Sequence, residues 1–250
     1  IRADYTRYFN HANFNQTVYD ELGLRTDNVI STFQLQPRVQ FTWDVNDKHQ
    51  DIIRLGAGIF GSDLNNYSMI NNMLFDGTKV ATAPGVDLFN NPNIQKISTI
   101  NMNSKDARVP VVYKLNASYT HFFSDRLRVG ISAYANWARH NYMYVDRNMV
   151  NEPYFRIAAE GNRGVFVPAE SINTENGATD WMQGRKSDKV GRVLELISDG
   201  KINQYAFVVD GTWRYFKDGE LSFSYTWNDS KDNTSYNGNV ANTATLALMV

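Results

Sequence analysis

The chain has 250 residues, a formal net charge of −1 and 42% hydrophobic residues. A charge this close to zero gives no sign of the basic surface that nucleic-acid-binding proteins use. The sequence contains no cysteine, which excludes disulfide bonds and thiolate metal sites. No run of about 18 consecutive apolar residues occurs, so the sequence predicts no transmembrane helix.

The first 45 residues contain the clearest strand pattern in the chain. A first strand is predicted at residues 1–8, and the 13 residues 33–45 alternate strictly between apolar and polar side chains. Successive side chains of an extended strand point to opposite faces, so this segment has one apolar and one polar face. Its length exceeds the about 5–6 residues of a usual globular strand, whereas a tilted membrane-crossing strand needs about 9–11.

The same period of two recurs along the chain. Further strands are predicted at residues 51–61, 109–123, 127–145, 203–216, 220–229 and 242–250. No comparable stretch shows sustained helical spacing. Aromatic residues make up 13% of the chain, which fits both strands and the aromatic girdles of membrane barrels.

Short and long connections alternate between these predicted strands. Short turns rich in Asn, Asp and Gly follow residues 45, 123 and 216, and the long connections lie at about 9–32, 62–108, 146–202 and 230–241. Such long loops are uncommon in compact soluble domains but are typical of the extracellular side of outer-membrane barrels. The predicted fold class is therefore all-β, an antiparallel transmembrane β-barrel segment with short periplasmic turns and long extracellular loops.

Two neighbouring strands resemble a known family. Residues 35–47 read LQPRVQFTWDVND, and residues 51–60 read DIIRLGAGIF. This hairpin resembles that of TonB-dependent outer-membrane receptors, in particular the Oar-like and glycan-importing receptors of Bacteroidetes-type bacteria. Arg54, Gly56, Gly58 and Phe60 stand where the second strand of that family has them. The resemblance extends to further segments at residues 103–116 and 202–230.

The resemblance implies that residues 1–250 are a partial β-barrel domain. Whole receptors of this kind have about 22 strands around a plug, and about eight are predicted here. The plug domain, the TonB box and the terminal barrel strand are not among these residues. Ile1 and Val250 both lie inside strand-like segments, and we interpret the sequence as an internal piece of a longer protein.

The resemblance also implies a function and a location. It implies active import of a bulky nutrient, such as a glycan, a peptide or a metal chelate, across the bacterial outer membrane. The implied partners are outer-membrane lipid, the TonB complex acting through the plug, the nutrient and optionally a surface lipoprotein, with no nucleic acid. Two alternatives remain open: a passive porin or adhesin-like barrel, and a soluble carbohydrate-binding β-sandwich.

No catalytic or metal motif is found in the sequence. The four histidines lack zinc-site spacing, and neither a G-x-S-x-G elbow nor a phosphate-binding glycine loop occurs. Residues 44–48 resemble the start of a calcium loop, but His49 stands where that loop requires glycine. A hairpin turn is therefore predicted there, and no enzyme activity and no cofactor are predicted.

Candidate functional residues fall into two groups. The polar strand faces carry five charged candidates for the barrel lumen, namely Arg38, Arg54, Lys114, Asp210 and Arg214. These residues either form a solvated lumen wall that packs against a plug, or contact substrate directly. The longest loop carries five candidates for ligand binding, namely Tyr154, Phe155, Phe166, Trp181 and Arg185. Aromatic faces beside amides suit sugar or peptide binding, although aromatic side chains also pack loops together.

Aromatic residues beside the short turns form a third, structural group. Trp43, Phe123, Tyr215 and Phe216 are predicted to form the periplasmic aromatic girdle. His121 interrupts an otherwise apolar face shortly before a turn, and it is predicted to lie at the level of the lipid headgroups.

Overall fold

The computed structural model describes residues 1–8, 12–62, 66–77, 99–179, 181–217 and 219–234. The strands and α-helices in chain order are β1 Arg2–Arg7, α1 Gln16–Leu22, β2 Ser31–Gln36, β3 Arg38–Asp44, β4 Asp51–Gly61, α2 Asn66–Leu74, β5 Ile100–Asn103, β6 Val111–Ser124, β7 Leu127–Asp146, β8 Phe155–Ile157, β9 Arg163–Val165, β10 Val193–Arg214 and β11 Glu220–Asp232. Three short 3-10 turns lie at Ala158–Glu160, Ala169–Ser171 and Trp181–Gly184. The predicted strand at 242–250 lies outside the described residues. None of the helices in these ranges is long and apolar enough to cross a membrane.

Six of the strands form the main sheet in the order β11-β10-β7-β6-β4-β3, with every neighbouring pair antiparallel. The three connections at one end, here called the turn side, are short: 45–50, 125–126 and 215–219. The connections at the other end, the loop side, are long. The alternation of short and long connections predicted from the sequence is thus confirmed within the described residues.

The longest predicted strand is divided by a proline. β2 ends at Gln36 and β3 begins at Arg38, because Pro37 has no backbone N–H for the ladder. β2 pairs with β1, whereas β3 pairs with β4. The carbonyl of Pro37 still accepts a hydrogen bond of 2.9 Å from the backbone N–H of Ile59.

A loop was predicted at residues 146–202, and the prediction of its end is wrong, because β10 already begins at Val193. The first residues of β10 are buried on both faces, because Leu194 and Leu196 pack into one group of buried apolar residues and Val193 packs into another. Their two edges pair with β7 and β5. A strand buried on both faces has no apolar-polar alternation, which is the signal that the prediction used. The true loop spans residues 147–192.

The register between the strands places apolar side chains beside one another across the whole main sheet. Val39, Ala57, Leu115, Ala135 and Tyr205 form one cross-strand row. Because the period of a strand is two, the apolar residues of all six strands share one surface, here called the apolar face. Its large side chains are exposed, with Val39 at 67% and Leu115 at 46%. Within the described residues, neither a second sheet nor a helix layer packs on this face.

The buried core lies at the loop side of the sheet. One cluster contains Tyr8, Ile30, Ala107, Val109, Tyr144, Leu194 and Leu196, and a second contains Val18, Ile100, Met102, Val190 and Val193. These residues come from the loop-side ends of β7 and β10 and from the segments folded over them. The ladder between β7 and β10 is irregular just below this core, where His140 has a φ of 62°. Gly200 lies at this irregularity, and a Cβ there would lie 2.6 Å from the carbonyl oxygen of Asn141.

Candidate functional site

The polar face lies opposite the apolar face of the main sheet and carries all five predicted lumen residues. Arg38, Gly58, Lys114, Asn136 and Gln204 form one cross-strand row on it. The side-chain amide of Asn136 donates to that of Gln204 at 3.2 Å. Residues Arg54, Asp210 and Arg214 lie on the same face at other rows. That this face lines a barrel lumen, and that these residues contact a ligand, both stay predictions.

Two cations of this face lie against one aromatic ring. The guanidinium carbon of Arg38 is 4.2 Å from the ring centroid of Phe60, and the Nζ of Lys114 is 5.0 Å from it. Both distances are within the range of a cation–π interaction. Gly58 leaves room for the ring, because a Cβ at this position would lie 2.9 Å from Phe60. The concavity around these residues has a volume of about 500 Å³.

Positive charge is unevenly distributed over the polar face. Asp210 pairs with Arg128 at 2.6 Å, and Glu220 pairs with Arg214 at 3.1 Å. No carboxylate of the described residues forms an ion pair with Arg38, Arg54 or Lys114. The β3, β4 and β6 side of the face is therefore net positive, and it suits contact with acceptor or anionic groups.

The predicted hairpin turn at residues 45–50 is confirmed. Asp44 and Asp51 end and begin paired strands, and the backbone N–H of His49 donates to the carboxylate of Asp44 at 3.0 Å. His49 has a φ of 57°, so the residue does adopt the left-handed conformation that glycine takes in a calcium loop. No group of three or more His, Asp or Glu side chains suited to a metal occurs in the part of the chain that the structure describes.

Aromatic side chains line both ends of the apolar face. On the turn side, exposed Trp43, Phe123, Tyr215 and Phe216 lie where the girdle was predicted. His121 is on the same face, with its Nδ1 2.7 Å from the Oδ1 of Asp51 and its ring 4.3 Å from that of Phe123. On the loop side, the indole N–H of Trp137 donates to the hydroxyl of Tyr205 at 3.0 Å.

The loop of residues 147–192 folds into a small unit on the loop side. β8 and β9 form a hairpin within it, and its two ends are held together by Asp146 and Asn148. The carboxylate of Asp146 pairs with Arg185, and these two side chains are only 3% and 2% exposed. The fully buried amide of Asn148 donates to the carbonyls of Ser187, Val190 and Gly191 at 2.8–2.9 Å.

This loop unit contains a cavity of about 420 Å³, here called the loop cavity. Most of its lining is apolar, and the lining includes Met149, Phe155, Ile157, Arg163, Val165, Phe166, Val167, Ile172, Ala178 and Arg185. Its volume is within the about 300–1,000 Å³ of small-molecule sites, which are also mostly apolar with a few placed polar groups. The loop cavity is therefore a candidate binding site on the loop side.

The structure brings three of the five predicted loop residues together. Phe155, Phe166 and Arg185 line the loop cavity. Tyr154 is 54% exposed and is not part of the lining. The backbone of Trp181 begins a 3-10 turn.

Arg163 is a cavity residue that the sequence prediction missed. Its place in the lining depends on the pairing of two three-residue strands, which are too short for any periodic signal. The Nε of Arg163 donates to Glu160 at 2.6 Å. Its Nη1 is buried and has no hydrogen-bond partner among the residues that the structure describes.

The loop unit is also attached to α1. Glu21 accepts hydrogen bonds from the Nζ of Lys189 at 2.5 Å and from the hydroxyl of Ser187 at 2.8 Å. The hydrogen bond from Lys189, followed by that from Ser187, lowers the pKa of Glu21 below its usual value of 4.5.

We expect this contact to weaken in acid. A lowered folded-state pKa means that the contribution of Glu21 is present above its unfolded pKa and is lost as pH falls through the folded value. Hydrogen exchange at the amide of Lys189 should therefore become faster when the pH falls below about 4.5, after correction for intrinsic rates. The variant Glu21→Gln should lack this pH dependence, and an unchanged profile in the variant would contradict the assignment.

Comparison with solved structures shows the fold of the chain. The outer membrane transporter YddB from Escherichia coli is similar over 83% of this chain, with a TM-score of 0.53 and 12% sequence identity. The FrpB iron transporter from Neisseria meningitidis covers 85% of the chain at 9% identity, with a TM-score of 0.44. The chain spans about a fifth of the length of these structures, 21% and 22%. No protein-family profile and no curated protein matches the sequence.

The similarity to YddB confirms the predicted fold class and, at the level of fold, the resemblance to outer-membrane transporters. Three features of the structure agree with the predicted fold class: the antiparallel order of the main sheet, the short turns at one end and the exposed apolar face. The chain therefore has the fold of a wall segment of an outer-membrane transporter β-barrel.

Proposed function

We propose that the chain is part of a TonB-dependent transporter that imports a bulky nutrient across the bacterial outer membrane. In this proposal, the main sheet is a section of the barrel wall and the loop unit faces the extracellular space. The observation that carries the proposal is the exposed apolar face, bounded at both ends by aromatic side chains.

The height of the apolar face supports contact with lipid. Exposed Tyr205 and Tyr215 lie ten residues apart on β10 and its turn, which is about 33 Å along a strand at about 3.3 Å per residue. At the about 35–45° tilt of barrel strands, this corresponds to a height of about 25 Å. The apolar band of outer-membrane barrels has about the same height, and water-exposed apolar surface of this extent is rare in soluble proteins.

The edges of the main sheet support a larger barrel. β3 and β11 are its two ends, and they do not pair with each other. Unpaired backbone groups in lipid cost several kcal/mol each, by estimates of about 2–7 kcal/mol, so a membrane sheet has to close. Further strands from the same protein would close it, in agreement with the 21% of the YddB chain that these residues cover.

The polar face and the loop cavity support transport over a purely structural role. The unpaired cations Arg38, Arg54 and Lys114 provide a polar wall for a plug or for a passing substrate. The loop cavity provides a recognition site on the side that would meet the nutrient first. The TonB complex and a surface lipoprotein are partners that the proposal adds from the family resemblance.

A conductance measurement separates active import from a passive porin. The full-length protein would be reconstituted into a planar lipid bilayer in KCl, and the current would be recorded at fixed voltage. A plugged transporter should show no steady conductance, whereas a persistent ohmic current would support the porin alternative.

Purification without detergent gives the second test. A protein that stays soluble and monomeric under these conditions would support the soluble sandwich and contradict the proposal.

A further inference from the structure

We infer that the loop-side end of the apolar face binds the phosphate group of an anionic lipid. The site consists of Arg139, Lys201 and Lys231, here called the cationic patch, and the acyl chains of the lipid lie on the apolar face beside it. This inference rests on the proposed function, since it requires the apolar face to lie in a bilayer. It adds to that proposal a headgroup of defined chemistry, located in the outer leaflet.

Three aromatic side chains mark the loop-side boundary of the apolar face. Trp137 of β7 lies opposite Asn203, and Trp227 of β11 lies opposite Phe207. Tyr205 lies on β10 midway between these two partners, so the three aromatic residues follow a diagonal across the sheet. A diagonal is expected for strands tilted by about 35–45°, because the membrane plane then crosses the strands obliquely. Tyr and Trp in such a position lie at the level of the lipid headgroups.

The cationic patch lies beyond these aromatic residues on the same face. Arg139 is two residues from Trp137, whereas Lys201 and Lys231 are each four residues from the aromatic residue of their own strand. Even spacings along a strand keep side chains on one face, and at about 3.3 Å per residue they correspond to about 7–13 Å. On tilted strands this is a height of about 5–10 Å, which agrees with the level of the headgroups.

The cationic patch has more positive than negative charge. Lys201 and Lys231 are exposed, and the Nζ of Lys231 is 3.9 Å from the carboxylate of Asp229. Within the described residues, neither Arg139 nor Lys201 forms an ion pair. Asp199 is the next acidic residue along β10, and it lies on the other side of the irregularity in the ladder. Three cations with one paired carboxylate attract the phosphate of an anionic lipid.

Hydrogen bonds hold the guanidinium of Arg139 against β10. Its Nη1 donates to the carbonyl of Ile202 at 3.2 Å, and its Nη2 donates to the Oδ1 of Asn203 at 3.0 Å. Both acceptors are neutral, so they leave the positive charge of Arg139 uncompensated. A guanidinium that is already fixed loses less conformational freedom when it binds a phosphate.

A concavity on the apolar face adjoins the cationic patch and suits an acyl chain. Its volume is about 710 Å³, and its lining includes Arg139, Trp137, Tyr113, Ile59, Leu115, Ala57 and Val39. The small Ala57 lies between Val39 and Leu115 in one cross-strand row. Apolar surface beside cations fits a lipid better than a free phosphate ion, since each part of the lipid has a complementary surface.

The test measures lipid binding to the full-length protein in non-ionic detergent micelles, by native mass spectrometry over a range of lipid concentrations. The anionic probe is dioleoylphosphatidic acid, the zwitterionic probe with the same chains is dioleoylphosphatidylcholine, and the probe without acyl chains is glycerol 3-phosphate. Phosphatidic acid should bind about tenfold more tightly than either of the other probes. Equal binding of the two lipids, or equally tight binding of glycerol 3-phosphate, would overturn the inference.

Variants locate the binding at the cationic patch. Lys201→Gln combined with Lys231→Gln should weaken phosphatidic acid binding about tenfold and leave phosphatidylcholine binding unchanged. Both side chains are exposed, so the two substitutions should not disturb the fold. The matched control is Lys48→Gln combined with Lys217→Gln, which removes the same charge from the short turns. Equal losses in the two double variants would mean that only overall charge matters, and would refute the inference.

The substitution Asp229→Asn gives a test that loss of the fold cannot imitate. It removes the carboxylate paired with Lys231 and should strengthen phosphatidic acid binding about two- to fivefold. An unchanged or weaker affinity in this variant would contradict the inference.

The conductance measurement separates this inference from the proposed function. A protein without steady conductance and without a preference for phosphatidic acid would retain the proposed function and reject the lipid site. A preference for phosphatidic acid in a protein that conducts ions steadily would support the lipid site and reject active import.

Discussion

Replacing Asp146 with alanine is expected to open the loop unit, with a loss of about 3–5 kcal/mol in its local stability. Asp146 and Arg185 form an ion pair with side chains only 3% and 2% exposed, so removal of the carboxylate leaves a buried charge without its counter-ion. The same carboxylate accepts hydrogen bonds from the backbone N–H groups of Asn148 at 3.1 Å and Val193 at 3.2 Å. The contacts to Arg185 and Val193 join the two ends of the loop.

Hydrogen exchange measures this effect locally. The amide of Ser187 donates to the side chain of Asn148 at 2.9 Å, and its opening free energy should fall in Asp146→Ala. The control is Glu220→Ala, which removes an exposed ion pair to Arg214 at the opposite end and should cost about 0–1 kcal/mol. The double variant Asp146→Leu with Arg185→Met should recover part of the loss, because it removes both charges. Similar protection in Asp146→Ala and in the unaltered protein would show that this pair does not hold the loop.

The substitution Val39→Arg is expected to reduce the folding free energy in a bilayer by about 2–4 kcal/mol. Val39 lies on the apolar face between the exposed aromatic residues Phe33 and Trp43, and it is itself 67% exposed. The substitution would therefore place a charge inside the hydrocarbon layer. Denaturant titration of the full-length protein folded in lipid vesicles measures the difference in free energy.

The neighbouring residue is the matched control for this substitution. Gln40 lies on the polar face of the same strand, one residue away, so Gln40→Arg places the same charge on the opposite side. That variant should change the folding free energy by less than about 1 kcal/mol. An equal loss of folding free energy at the two positions would contradict the assignment of lipid to one face of β3 and water to the other.

The barrel strands could be predicted from the sequence because each has one apolar and one polar face. The predicted strand at 51–61 has the same bounds in the structure, and those at 109–123 and 127–145 are within two residues of β6 and β7. Alternation is a local property, so it is visible in a single segment. The start of β10 could not be found in this way, since its first four residues, 193–196, are all buried and do not alternate.

The candidate sites were predictable to a smaller degree. The alternation of side chains along each strand predicts that Arg38 and Lys114 lie on the polar face. Their contact with Phe60 depends on the register between three strands, which the alternation does not give. Phe155 and Phe166 were recognised by their aromatic side chains in a polar loop. The loop cavity itself depends on contacts between residues far apart in the loop, such as the bridge between Met149 and Arg185. No local pattern encodes such contacts, and Arg163 was missed for this reason.

The most direct test of the central claim is a scan of solvent contact along β6. Single cysteines at positions 113–120 of the full-length protein would each carry a spin label, and since these 250 residues contain no cysteine, only cysteines elsewhere in the protein would have to be replaced by serine. In a bilayer, labels at Leu115 and Ala117 should collide with dissolved oxygen, whereas those at Asn116 and Ser118 should not. Oxygen contact that lacks this period of two, or that is weak at the odd positions, would contradict the claim that lipid covers the apolar face.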